Sequence, residues 1–314
     1  MSIAQRLADS ALINPGSDRV RSVAGLARRS ARSRAGRFLA EGPQCVREAL
    51  RAHLGEFESL VPAPRDGVID ALYITERALQ RHPDIDQLVK RVLQAEGSPR
   101  VFVRMVSDEV LAAMSDAEHP QGVLAVCRIP ELTWAQVAER RPRLVAVMCR
   151  VQDPGNAGTV LRAADAAGAD AVVLTAGSVD LHNPKVVRST AGSLFHLPVL
   201  TGLDPAELVG RPVSDAAGGE LQVLAADGYG ALDLDELQDA SAAGREAAVE
   251  LARPTAWLFG NEAQGLSEQE KALASHRVAV PLHGAAESLN VGTAATLCLY
   301  ASARAQRRTA EGAA

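Results

Sequence analysis

The stretch TAWLFGNEAQGLS, Thr255 to Ser267, is apolar up to Phe259 and then turns abruptly polar at Gly260, Asn261 and Glu262. A short apolar run ended by glycine reads as a buried strand, and Ser267 with Glu270 supplies the S-x-x-E signature of a helix start. The same design occurs twice more. LVAVMCRV runs into QDPGNAGTVLR (Gln152 to Arg162), and RVAVP runs into LHGAAESLNV before a helix built of small residues. AVVL and LQVLAAD add further apolar strands. Strand, glycine-rich turn and helix in repetition is the pattern of a parallel α/β sheet. The loops of such a sheet meet outside the carboxyl ends of its strands, where ligands bind.

Each loop offers candidates beside plainer readings. Pro154 and Gly155 shape the first turn, Asn156 begins the helix, and Arg162, six positions on, can reach back toward the loop. An N-cap asparagine and a surface pair between Arg162 and Asp165 would explain the same residues without function. In the second loop the capping box takes Ser267 and Glu270 for structure, leaving Glu262 as the functional acid or as a solvated one. In the third, a strand to Pro281 and a loop through Gly284 lead to a helix beginning near Ser288. There Ser288 and Asn290 lie where free N–H groups gather, and Ser288 could serve simply as the cap. The small residues from Gly292 to Thr296 allow close approach of another helix, which suits a dimer interface.

The N-terminal half reads differently. The chain of 314 residues carries a net charge of −5, yet seven arginines and no acid lie between Arg19 and Arg37, so the remainder stands at −12. Basic charge concentrated in one segment points to phosphate contact, and arginine suits it because its fork pairs bidentately with phosphate oxygens. Arg28, Arg29, Arg32, Arg34 and Arg37 are the expected RNA-binding residues. FLAEGPQCVREAL reads as a strand and a helix. ALYIT and VFVRMV are strands whose following Thr75 and Ser107 cap helices, and GVLAVC closes a small α/β unit. The proline-bounded segment from Ile129 to Pro142 reads as a junction. The expected organisation is a tail over 1–18, an RNA substrate-binding domain over 19–130, a linker over 131–142 and a catalytic domain over 143–314. DAAGG and DASAAGREAAVELA read as loop and surface helix. Cys45, Cys127, Cys149 and Cys298 are far apart in no metal-ligand spacing and read as reduced core residues. No run of 18 apolar residues and no signal-peptide core occurs, which argues for the cytoplasm.

No G-x-G-x-x-G follows a strand and no G-x-x-x-x-G-K-[ST] is present, against a dehydrogenase or a nucleotide hydrolase. The three loop motifs, GNEAQGLS with AESLNV above all, resemble those of the SpoU or TrmH class of RNA ribose methyltransferases in the SPOUT superfamily, over about residues 143 to 306. FLAEGPQCVREAL and HPQGVLAV are similar to that family's N-terminal substrate-binding domain. The resemblance implies a C-terminal domain with a deep trefoil knot, a smaller ribosomal-protein-like α/β domain, a homodimer, and S-adenosylmethionine as cofactor with no metal. It places Gly260, Val280 and Leu289 at the cofactor and Asn156, Arg162, Glu262, Ser288 and Asn290 in the catalytic set. Leu282 departs from the family's usual methionine and Gly292 from its alanine or serine; neither removes a reacting group.

The activity implied is methylation of a ribose 2′-hydroxyl in structured RNA, ribosomal RNA first and transfer RNA second, with a non-catalytic RNA-binding factor as the rival. Phe, Trp and Tyr together number ten, and Phe38, directly after Arg37, is the only one that borders the basic segment. Single-strand readers stack bases on aromatics, so folded RNA recognised by phosphate, ribose and shape is expected.

Overall fold

The computed structural model describes residues 11–57, 67–95, 99–209 and 220–312, without the side chains of 309–312. The chain divides into two units, Met1–Glu131 with Asp180–His196, and Leu132–Val179 with Leu197–Ala314.

The first unit opens with α1 (Asp18–Gly25) and α2 (Arg29–Ala35), then β1 (Arg37–Glu41), α3 (Pro43–His53), β2 (Ile69–Ile74), α4 (Glu76–Arg81), α5 (Pro83–Gln94), β3 (Phe102–Met105), α6 (Asp108–Met114) and β4 (Val123–Arg128). Its sheet runs β1-β4-β2-β3, with β4 antiparallel to both neighbours and β2 parallel to β3. Helix starts follow the expected side chains: Thr75 accepts from Ala78 N at 3.2 Å and Ser107 from Val110 N at 3.3 Å. Alternating strand residues face two buried clusters, Leu72 with Val46 and Ile85 of the helices in one, Leu39 and Tyr73 with the helical Leu111 in the other. The tail expected over 1–18 is structured from residue 11: Leu12 N donates to the Met105 carbonyl at 2.9 Å and Ser17 caps α1.

The second unit begins earlier than expected. Within the proposed linker, α7 (Trp134–Ala138) starts on a capping box of Thr133 and Gln136, and Trp134 and Val137 are buried with Val147 and Leu258. Two apolar residues, Trp134 and Val137, three apart on one face are enough to draw a junction into a core. There follow β5 (Leu144–Met148), α8 (Pro154–Ala167) and β6 (Ala171–Thr175). The chain next contributes α9 (Pro184–Ser189) to the first unit, then continues with β7 (Val199–Leu203), β8 (Gln222–Ala226), β9 (Leu232–Asp233), α10 (Leu234–Ala242), β10 (Thr255–Phe259), α11 (Glu268–Leu273), β11 (His276–Ala279) and α12 (Val291–Gly312). The sheet is parallel throughout, ordered β7-β6-β5-β10-β8-β11-β9. Of the segments read as loop and surface helix, 215–219 lies outside the described residues. The helix ends at Ala242 instead of running on toward Ala252.

Helix α12 packs on α8 within the same chain. A Cβ on Gly292 would come within 2.6 Å of Thr159 Cγ2, so the small residues read as a dimer surface serve an intramolecular contact here. Buried Trp257 donates from Nε1 to Ser302 Oγ at 2.9 Å, and Gln306 Nε2 reaches the carbonyls of Arg143 and Arg253 at 2.9 and 3.0 Å. These bonds fix the helix against the sheet.

Residues 180–196 correct the expectation that 143–314 is one continuous domain. Val187 joins the first unit's core, Arg188 pairs with buried Glu41 at 2.8 Å, and Arg32 pairs with Asp180 at 2.6 Å. The segment is thus bound to the first unit by apolar burial and by two charge pairs withdrawn from water.

All four cysteines are buried and unpaired; burial pushes Cys45 up to about 11, Cys149 and Cys298 up to about 12, and Cys127 up as well. Thiolates are scarce, so these are packing residues. Burial lowers His182 to about 4, its ring 4.7 Å from that of Phe38, and burial also lowers His53, whose Nδ1 accepts from Ile69 N at 3.2 Å. Both rings are therefore neutral in the fold. A histidine that binds its proton more weakly when folded stabilises above its unfolded pKa and loses that contribution as pH falls. Denaturant stability of the protein should decline from about pH 6.5 toward about 4, where His182 titrates in the fold, and His182→Phe, which keeps a ring against Phe38, should flatten the decline. A profile identical in the variant would remove His182 as its source.

Candidate active site

Strand β10 ends level with its neighbours, Phe259 opposite Met148 and Ala226, so three chain segments emerge at one edge. The loop after β10 folds back on itself. Asn261 and Gly265 exchange backbone hydrogen bonds of 3.1 and 2.8 Å, and a Cβ on Gly260 would lie 2.4 Å from Gly265 C and Leu266 N. No side chain fits at 260 without opening the loop. Asn261 accepts from Ala263 N at 2.9 Å and donates from Nδ2 to the Arg150 carbonyl at 2.8 Å.

Arg150, which the sequence reading did not single out, clamps this loop from below. It has a φ of +56° and forks onto Glu270, Nε to Oε1 at 3.0 Å and Nη2 to Oε2 at 2.8 Å, while Nη2 also reaches the Gly265 carbonyl at 3.2 Å. Glu270 keeps the expected capping box with Ser267. Burial would raise its carboxyl, but the Arg150 fork and the Ser267 hydrogen bonds outweigh that and hold it below the ordinary glutamate range. One carboxylate thus fixes a helix start and a loop together. A charged residue placed directly after the buried strand LVAVMC was the available signal.

The expected site residues divide into those the structure joins and those it leaves apart. Asp153, not Asn156, caps α8, accepting from Asn156 N at 2.7 Å, and this leaves the Asn156 amide free to bridge. Asn156 donates from Nδ2 to Glu262 Oε1 at 3.0 Å and accepts from Asn290 Nδ2 at 2.8 Å. Glu262 also faces Gln152 N at 3.5 Å. Asn290 caps α12 in place of Ser288, its Oδ1 accepting from Gly292 N at 2.8 Å. Helix α12 therefore begins at Val291, three residues later than read, because the residue whose oxygen reaches the free N–H groups is Asn290. Three loops are tied by one chain of side-chain hydrogen bonds, Glu262–Asn156–Asn290. Arg162 is exposed on α8, about 9 Å further along the helix axis than Asn156, and does not join that chain. Ser288 is exposed in its loop, while Gly260, Val280 and Leu289 are half-buried around the same edge.

The basic segment of the first unit is only partly a surface. Arg28, Arg29 and Arg34 are exposed. Arg32 is 3% exposed and spends its guanidinium on the Leu26 and Ala27 carbonyls and Asp180, so it is a packing residue and not an RNA contact. Arg37 is half-buried and paired with Asp70 at 2.8 Å. Position 32 faces inward from α2, which an unbroken run of arginines conceals. No cluster of three potential metal ligands occurs among the described residues.

Residues 143–300 match the SpoU rRNA Methylase family, half of the chain. The chain belongs to that family. Residues 17–125 match the MRM3-like substrate binding domain. Among relatives, this SpoU protein is 32% identical over 203 residues to the 23S rRNA (uridine(2479)-2′-O)-methyltransferase of Streptomyces viridochromogenes, covering 64% of this chain and 67% of that one. It is 37% identical to the 23S rRNA (guanosine(2553)-2′-O)-methyltransferase RlmP of Bacillus subtilis, covering 62% and 70%. Among solved structures, the SpoU methyltransferase AviRb from Streptomyces viridochromogenes with AdoMet superposes with a TM-score of 0.71 at 28% identity over 93% of this chain and 99% of that one. An RNA 2′-O ribose methyltransferase gives 0.69 at 29% over 95% and 99%.

The crowding at Gly260 gives a direct test. Gly260→Ala should open the loop, cost about 1–3 kcal/mol and lower the thermal midpoint by several degrees. An unchanged midpoint with unchanged ligand binding would show that the close approach is dispensable.

Proposed function

We propose that this protein transfers the methyl group of S-adenosylmethionine to a ribose 2′-hydroxyl of ribosomal RNA. The observation that carries the reading is the Glu262–Asn156–Asn290 chain, which locks the loops after β5, β10 and β11 into one site at the carboxyl edge of a parallel sheet. That edge fits the cofactor. The peptide groups of 282–289 have no hydrogen-bond partner among the described residues, and half-buried Val280 and Leu289 add apolar surface beside Gly260. Such a setting suits an adenosine held through backbone N–H and C=O groups, with apolar surface beside its sulfonium methyl. Bound there, S-adenosylmethionine supplies a methyl on a sulfonium, open to in-line attack by an alcohol.

The chain's own residues must then place the ribose oxygen and help it lose a proton. A guanidinium is not normally deprotonated in proteins, so Arg162 orients the 2′-hydroxyl and its neighbouring phosphate and stabilises the developing alkoxide, acting as a base only if the substrate phosphate takes its proton. Asn156 and Ser288 position ribose and arginine. Glu262 and Asn290 keep the loops in order. The first unit supplies RNA contacts through exposed Arg28, Arg29 and Arg34. Ribosomal RNA is favoured over transfer RNA by the substrate-binding domain, and the cytoplasm is the compartment this reading assigns. No helix among the described residues is long and apolar enough to cross a membrane.

A homodimer and a trefoil-knotted catalytic domain complete the reading. Leu297 and Tyr300, 44% and 45% exposed on one side of α12, support the first as apolar surface awaiting a cover.

With labelled donor and ribosomal RNA, Arg162→Ala should lower kcat by about 10²-fold or more while RNA affinity and cofactor binding change little. Normal turnover would remove Arg162 from the mechanism. Leu297→Glu with Tyr300→Glu should turn a dimer into a monomer in sedimentation; a wild-type monomer would end the dimer reading.

A further inference from the structure

In the first unit two arginines share one aromatic ring. Arg19 on α1 and Arg104 on β3 each place Cζ 4.2 Å from the Phe102 ring centroid, so the two guanidinium carbons are at most about 8.4 Å apart, twice that distance. Phe102 is half-buried, its ring 6.3 Å from that of buried Tyr73, and Arg19 is exposed. Strand β3 is the edge strand of its sheet. The ring therefore holds two cations at a surface that the fold has made rigid.

What is missing is the counter-charge. Arg32, Arg37, Arg47, Arg51, Arg128 and Arg188 of the same unit each face a carboxylate. Among the described residues neither Arg19 nor Arg104 does, and the acid next to Arg19, Asp18, is taken by Arg21 at 2.5 Å. Like charges this close repel, and the aromatic quadrupole offsets only part of that. Two pre-positioned guanidinium forks with no internal anion are suited to an external one, and their geometry fits a phosphodiester better than a single carboxylate.

We propose that Arg19, Phe102 and Arg104 form a phosphate clamp that grips the backbone of the substrate RNA. This rests on the RNA-methyltransferase reading, and all three residues lie in the matched substrate-binding region. The clamp positions the substrate and reads no base, since phosphate contacts fix register without carrying sequence. Phe102 acts by stacking the two guanidinium groups, which distinguishes the clamp from loose arginines elsewhere on the segment.

The test is binding of ribosomal RNA to the full-length protein across a salt series, beside methyl transfer. In Arg19→Ala with Arg104→Ala, the slope of log affinity against log salt should fall by about 1 to 2, about 0.7 to 0.9 for each lost contact, and KM for RNA should rise about tenfold with kcat unchanged. Phe102→Leu, which keeps both charges, should weaken binding with a smaller change of slope. If the alanine pair melts early, Arg19→Gln with Arg104→Gln repeats the measurement at nearly full side-chain length. An unchanged slope and KM in a folded variant would overturn the clamp and leave the methyltransferase reading intact. Loss of RNA binding in the variants of a wild type that transfers no methyl would uphold the clamp and defeat that reading.

Discussion

The catalytic unit depends on the register of β10 between β5 and β8. Because Phe259 finishes level with Met148 and Ala226, and β11 sets Val278 opposite that same Ala226, the segments after β5, β10 and β11 are delivered to one edge without any long-range search. Those segments would still splay apart as polar loops with exposed backbone. Closure comes from two polar devices of different kinds. Arg150 and Glu270, partly withdrawn from water, form a two-pronged ion pair beneath the loop. Above it, neutral amides of Asn156 and Asn290 link to Glu262 near solvent. Charge-assisted bonds in the drier layer are stronger and less yielding than the exposed ones. The lower device sets the shape of the loop, and the upper one ties it to its neighbours.

The sequence disclosed the parallel grammar, most strands and the residues of the upper device, because each sits within a few positions of an apolar run that ends abruptly. It misplaced caps. Asn156 and Ser288 were read as helix starts from their residue types, whereas capping is decided by which oxygen reaches a free N–H, and Asp153 and Asn290 do so. Arg150 and Glu270, 120 positions apart, form a contact that no local pattern encodes. The small residues of α12 were legible as a close-contact surface, yet residue size alone does not say whether the partner is α8 or another chain.

The basic segment shows the same limit from the other side. A count of arginines treats Arg32 and Arg34 as equals, but α2 turns one inward and the other outward. Burying a guanidinium costs less when its charge and donors are met: Arg32 finds the Leu26 and Ala27 carbonyls nearby, and its carboxylate, Asp180, only because 180–196 returns to the first unit. Composition located the charge correctly; its division between interior and surface belongs to tertiary structure.

That return has a consequence for the protein as a physical object. A polypeptide that leaves a unit and comes back cannot be divided by one cut. A fragment ending at Glu131 would strand Arg32 as a buried cation without its carboxylate, and a fragment starting at Leu132 would carry Val187 and Phe195 with no core to enter. The two halves are therefore bound to fold together, as one chain laced through two cores.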